Sequence, residues 1–265
     1  MLSDGQLIEF ARDGYLVIPR VVSEPLLAAA DAEIDALLAR EPPPVETRGK
    51  HFWFLPPSQL PCAEAALRDS GALAIAEELV APDSLALILD HIQVALNIPP
   101  YDHRPGGPHI DGHVRQHPDQ VAPNSFTLLA GIFLSDETAI DRGSVWVWPG
   151  SHLVHQQLFR DRGTDALMQT GGHITMLSDP PPLPRPVPVL GHRGDLLVAH
   201  FLLGHNTGGN LSPTTRRMLY YRLGCPDHAS RWEATFLDAF TEYAPVRLAL
   251  ARVSKEHGTE GSTRS

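Results

Sequence analysis

A chain of 265 residues, 43 % apolar and 20 % charged, is long enough for one large domain and too balanced in composition to be disordered. Its formal charge of −10, free of like-charge runs, lacks the basic face that a nucleic-acid partner would require. Two cysteines, Cys62 and Cys225, provide neither a disulfide framework nor a thiolate zinc site, so any metal depends on carboxylates and the 14 histidines. No apolar run spans a bilayer and no basic-then-apolar leader opens the chain, which predicts a soluble, cytoplasmic protein without a membrane partner.

Ser3 with Gln6 has the capping-box pattern ahead of Leu7, Ile8 and Phe10, predicting a first helix that Gly14 closes. "DGYLVIPRVV" then reads as a short strand. Ser23-Glu24-Pro25 opens a second helix that runs to about Arg40 and ends at the prolines 42–44. A third helix is predicted from Ala63 to Val80. Beyond it come "SLALILDHIQVALNI" (84–98), "SFTLLAGIFLSD" (125–136), "SVWVWPG" (144–150), "DLLVAHFLL" (195–203) and "RRMLYYRLG" (216–224). These stretches run apolar or alternate between Pro, Gly, Asn and Asp clusters, the pattern of an antiparallel sandwich or barrel. The Gly- and then Pro-rich segment 155–188 interrupts the strands and reads as a lid or cavity wall. A helix near Phe240 to Arg252 closes a single domain over 1–254, as a monomer or homodimer, and 255–265 reads as a disordered tail.

In "GGPHIDGHVRQH" (106–117), His109 and Asp111 are two residues apart, so an extended backbone points both to one side. Alone, this pair reads first as part of a solvated loop; a zinc hydrolase is a further reading, although the second-histidine spacing of such hydrolases is absent. Two ligands hold a divalent ion weakly, and a third must come from elsewhere. Two histidines and one carboxylate on one octahedral face suit a non-haem Fe(II) oxygenase, which keeps three positions open. "RGDLLVAHFLLGHNTGGNLSPTTRRMLYYR" supplies His205 at a strand end and Arg216 at the start of the next strand. If those strands pair, Arg216 returns to the level of His205, where a guanidinium grips a carboxylate bidentately. A 2-oxo acid chelating the metal needs such a partner, and Thr207 could add a hydroxyl donor. His200 reads as a hydrogen-bonded core or cavity residue.

Four stretches together resemble the phytanoyl-CoA dioxygenase-like family of Fe(II)/2-oxoglutarate oxygenases: "LIEFARDGYLVIPRVVSEPLLAAADAEIDALL", "GPHIDGH", "DRGSVWVWPGSH" and "RGDLLVAHFLLGHNTGGNLSPTTRR". The resemblance implies a mainly β (α+β) fold, a double-stranded β-helix or jelly-roll core with flanking N-terminal helices and a C-terminal helix. It makes His109, Asp111 and His205 the iron ligands and Arg216 the 2-oxoglutarate anchor, with Asn97 and Thr127 as further co-substrate contacts. O₂ is the second co-substrate. Halogenating relatives lack the carboxylate, so Asp111 favours hydroxylation or another halide-free oxidation of a small molecule, with release of succinate and CO₂. Gln93, His113 and Trp146 are candidates for the substrate cavity, although Trp146 with Trp148 reads first as sandwich core. A metal-binding or sensor jelly roll without turnover is the alternative.

Overall fold

The computed structural model describes residues 1–112 and 123–260. Ser3 caps α1 (Asp4–Asp13) through both bonds of a capping box, and Gly14 ends it at φ 83°. β1 (Tyr15–Ile18) follows directly. α2 (Glu24–Arg40) has Pro25 in its first turn and stops before the prolines. β2 (Gly49–Leu55) is a strand the sequence reading passed over. The helix expected from Ala63 to Val80 is two, α3 (Pro61–Arg68) and α4 (Ala72–Glu77), because the chain turns at Gly71 with φ 87°.

β3 (Ala86–Ile98), β4 (Leu128–Phe133) and β5 (Val145–Val147) fall within their expected stretches. Segment 155–188 is only partly a loop. It begins inside α5 (Ser151–Arg162), whose Leu158 and Phe159 are buried, and ends on β6 (Val187–Pro188), paired with β5. Then come β7 (Leu196–His200), β8 (His205–Thr207), β9 (Arg216–Gly224), α6 (His228–Leu237) and α7 (Ala244–Glu260). The last helix starts later than expected and continues through residues read as a tail; positions 261–265 lie outside the described residues. No helix is long and apolar enough to cross a membrane among the described residues.

The strands form a six-stranded antiparallel sheet, β1-β7-β4-β9-β3-β2, and a three-stranded one, β6-β5-β8, the two layers of a jelly-roll α+β fold. Period-two alternation divides the large sheet's residues between two cores. Val94, Leu96, Ala130, Ile132, Val198, Leu219 and Tyr221 face the N-terminal helices and α7. Ala95, Leu129, Phe133, Leu197, Ala199, Met218 and Tyr220 face the small sheet and α5. The cavity of the protein opens within this second layer.

A buried polar cluster ties α6 and α7 to the strands. His228 lies 2.9 Å from both Ser125 Oγ and Glu242 Oε2, and Thr127 Oγ1 donates to Glu242 at 2.6 Å. These bonds hold the Glu242 carboxyl below its ordinary pKa although burial pushes the other way. A group depressed on folding contributes stability above its unfolded value, near 4.3, and loses it as pH falls through the folded one. Glu242→Gln is therefore expected to cost about 2–4 kcal/mol in urea unfolding at neutral pH, with the difference from wild type shrinking in acid.

Candidate active site

His109 and Asp111 reach the site on a segment that docks beside β8. His109 and His205 exchange backbone bonds of 3.1 and 3.0 Å, while His173 bridges His109 on the other side. Gly112 then turns the chain at φ 70°, in a place where a Cβ would lie 2.1 Å from the Asn124 carbonyl oxygen. This turn ends the extended geometry after Asp111. His113 lies outside the described residues.

Asp111 Oδ1 stands 3.3 Å from His109 Nε2 and 3.5 Å from His205 Nε2, and one ligand atom from each residue lies within 4.8 Å of the others. Among the described residues no other group of histidines, cysteines or carboxylates gathers in this way. His205 Nδ1 is 3.1 Å from the Leu203 carbonyl, which fixes the proton on Nδ1 and leaves the Nε2 lone pair for a metal. Burial lowers the His109 pKa, keeping that ring neutral. Burial acts the same way on His205 but is outweighed by Asp111, which raises its pKa. Asp111 is held well below the carboxylate range: burial opposes its charge, and Arg222 and His205 overcome that. Two imidazoles and one ionised carboxylate fit a divalent iron.

β8 and β9 belong to different sheets, so the expected pairing of the His205 and Arg216 strands does not occur. Arg216 instead faces β8 across the interior, from a β9 that pairs with β3 and β4. Both residues still line one cavity of about 160 Å³. Alternation along β9 sends Arg216, Met218, Tyr220 and Arg222 inward, while Arg217 turns outward to Asp31 and Asp35 of α2. Gly143, at φ 87°, lets its loop close over Arg216, since a Cβ would come within 2.9 Å of the Arg216 Cβ. Behind Arg216, Glu137 is fully buried with Oε1 3.3 Å from the Arg216 Nε.

The remaining expected residues separate. Thr207 and Gln93 line the cavity. Asn97 pairs with Arg216 in register, but its amide is spent on the Gly143 and Gly208 carbonyls and it forms no part of the wall. Thr127 belongs to the Glu242 cluster and is likewise absent from the wall. Trp146 faces away from the cavity, and Val145 and Val147 on either side of it point in, because β5 alternates. His200 is a satisfied core residue, bonded to Ala239 O and Leu202 N, its pKa pushed down to about 3 by burial. Ser151 and His152 bond Gly204 N and Ala11 O and so brace backbone.

Three features were not anticipated. Arg222 Nη2 lies 2.5 Å from Asp111 Oδ2, with its guanidinium near the Phe54 and Phe126 rings. Lys50, Phe52 and Phe54, alternate residues of β2, form one rim. Glu137 is the third. Arg222 was within reach of the period-two pattern running from Arg216; Glu137 carried no sequence signal.

A jelly roll whose cavity is lined by a His-x-Asp pair, a distant histidine and an arginine has the donor set that suits a non-haem iron enzyme. Residues 10–218 match the model of the phytanoyl-CoA dioxygenase family. The chain belongs to this family of Fe(II)/2-oxoglutarate-dependent enzymes. Among solved structures it is similar to HygX from Streptomyces hygroscopicus with nickel and 2-oxoglutarate bound, at 21 % identity and TM-score 0.56, covering 84 % of this chain and 87 % of that one. The epimerase SnoN from nogalamycin biosynthesis is 23 % identical, TM-score 0.59, with 83 % and 82 % covered. The carbocyclase SnoK from the same biosynthesis is 24 % identical, TM-score 0.56, with 87 % and 90 % covered. At these identities the likeness establishes the fold. No curated protein matches the sequence.

Proposed function

We propose that the protein hydroxylates a C–H bond of a small organic metabolite or natural-product intermediate. The observation that carries this reading is one cavity with His109, Asp111 and His205 at one place and Arg216 at another on its wall. His109, Asp111 and His205 would hold Fe(II), and Arg216 with Thr207 would hold the far carboxylate of 2-oxoglutarate. Iron, once bound, supplies the oxidative decarboxylation that yields succinate and CO₂. The chain itself orients the partners and keeps the reaction away from water. Ile110 N donates to Gly172 O and His173 flanks His109, contacts that support a wall role for segment 155–188 beside the ligand loop.

Phe52 and Phe54 are 36 % and 50 % exposed at the rim, a surface suited to a ring or apolar face. HygX is known with hygromycin B and SnoN with nogalamycin RO, small molecules of natural-product type. Asp111 fills the position that a halide would need, which favours halide-free chemistry. Anaerobic addition of Fe(II) and then 2-oxoglutarate is expected to give a weak visible charge-transfer band, and admitting O₂ to release succinate slowly without substrate. Absence of both would sink the proposal. A screen read by succinate release then finds the substrate. Product mass separates a gained oxygen from the unchanged mass of an epimerisation or the lost hydrogens of a ring closure.

A further inference from the structure

Arg216 does not wait for its ligand as an unpaired cation. Glu137, on the loop after β4, is 0 % exposed, and its Oε1 stands 3.3 Å from Arg216 Nε. Neither Glu137 oxygen accepts a hydrogen bond among the described residues, and the Arg216 Nε is itself without an aligned acceptor. The opposite side of the guanidinium is met by Tyr220, whose hydroxyl lies 3.3 Å from Nη2. The arginine is thus already neutralised by a carboxylate that nothing else stabilises.

We propose that Glu137 is a proton-accepting counter-ion to the co-substrate site: it balances Arg216 when the cavity is empty and takes up one proton when 2-oxoglutarate arrives. The inference rests on the reading of Arg216 as co-substrate anchor and goes beyond it. If both carboxylates kept their charge around one guanidinium, the buried group would carry an uncompensated negative charge, which is strongly unfavourable in a dry interior. Protonating Glu137 from solvent removes that charge and leaves Arg216 to the dicarboxylate. Glu137 gains one O–H as the solvent or buffer acid loses its own bond to that proton, and no other bond changes.

The surroundings allow the exchange. From β9, Arg216 and Tyr220 face Glu137. The 189–193 segment meets Glu137 through the backbone pair with Gly191, while the adjacent Asp136 turns to the His192 ring and the Arg193 amide. Asn97 beside Arg216 is uncharged, and Lys50 lines the cavity from β2. Burial, partly offset by Arg216, raises the Glu137 carboxyl to about 7, so protonation near neutral pH costs little. Tyr220 is pushed up to about 12 by burial and stays neutral throughout.

The test is calorimetric titration of 2-oxoglutarate into Ni(II)-loaded protein, in buffers of different ionisation enthalpy, from about pH 6 to about pH 8.5. Wild type is expected to take up close to one proton per co-substrate at the alkaline end and none at the acid end. Its dissociation constant should rise about tenfold per pH unit above about 7. Glu137→Gln keeps the shape and removes the titration: uptake should vanish, and binding should be nearly flat with pH and tighter than wild type at about pH 8.5. No proton uptake by wild type in alkaline buffer overturns the proposal without any variant being needed. Equal pH slopes in wild type and Glu137→Gln overturn it too. Arg216→Met separates the underlying reading. If it binds 2-oxoglutarate as wild type does, the anchor assignment itself fails. If it binds weakly while Glu137→Gln behaves as wild type, only the role of Glu137 falls.

Discussion

Asp111→Ala is expected to lose at least about a thousandfold in Fe(II) affinity and to show no succinate formation above background. Asp111 is the only anionic donor of the three, and its position between His109 and His205 makes it the centre of the cluster. At about 4 Å and an effective dielectric near 20, a unit charge pair is worth about 4 kcal/mol, which is about a thousandfold in binding, and a divalent ion feels it twice. The loss is compounded by Arg222, which stands 2.5 Å from Asp111 Oδ2 in the native protein. Without the carboxylate, this cation remains at the wall of the cavity and repels the metal. Asp111→Asn separates the contributions: it restores shape and a hydrogen-bond acceptor for Arg222 but no charge, so it should recover folding stability and little metal binding. Equilibrium titration with Co(II) or Fe(II) reads the affinity directly. Metal binding by Asp111→Ala within about tenfold of wild type would remove Asp111 from the ligand set.

Arg216→Met should act on a different quantity. A bidentate, charge-assisted contact to a buried carboxylate is worth about 3–4 kcal/mol, so the KM for 2-oxoglutarate is expected to rise about a hundred- to a thousandfold. Fe(II) affinity without co-substrate should stay within a few-fold of wild type, because Arg216 contacts Glu137 and Tyr220 and none of the three candidate metal ligands. The fold should tolerate the change as well: with its cation gone, Glu137 becomes a neutral acid instead of an unpaired buried charge. Arg216→Lys keeps the charge and loses the planar fork, so it should fall between the two. An unchanged KM in the methionine variant would show that the co-substrate carboxylate is held elsewhere.

Both substitutions probe residues that are legible in the sequence, unlike other parts of the site. His109, Asp111, His205 and Arg216 could be read because a short motif and a fixed interval carry them. The reason given for their proximity was nevertheless wrong. After His200 the chain leaves the large sheet, bonds Leu203 N back to His200 O, and starts β8 in the small one. A tight crossover of this kind looks like one continuous apolar strand in "DLLVAHFLLGH". β2 was missed because prolines and charges crowd its flanks, and because "GKHFWFL" is apolar on both faces: Trp53 packs with the helix-side core while Phe52 and Phe54 face the cavity. Asn97 and Thr127 lie on suitable elements, but the Asn97 amide nitrogen and the Thr127 hydroxyl donate to Gly143, Gly208 and Glu242, partners that no local pattern reveals. Glu137 was invisible for the same reason. In "LSDETAID" it is one acid among three, and only the arrival of β9 makes it the buried one.

The order of strands in the large sheet has a consequence for how such an enzyme can change. β9, which carries Arg216, Tyr220 and Arg222, is flanked on both sides by hydrogen-bonded neighbours, whereas β2, with Lys50, Phe52 and Phe54, is the outermost strand. A one-residue slip in a central strand would turn its whole inward set outward, so drift there is strongly opposed. An edge strand is coupled to a single neighbour and can exchange its inward side chains at small cost to the rest. Arg216, Tyr220 and Arg222 are therefore mounted where variation is penalised and the entrance where it is tolerated. New substrates could be acquired by altering the rim while the oxidative machinery behind it is inherited unchanged.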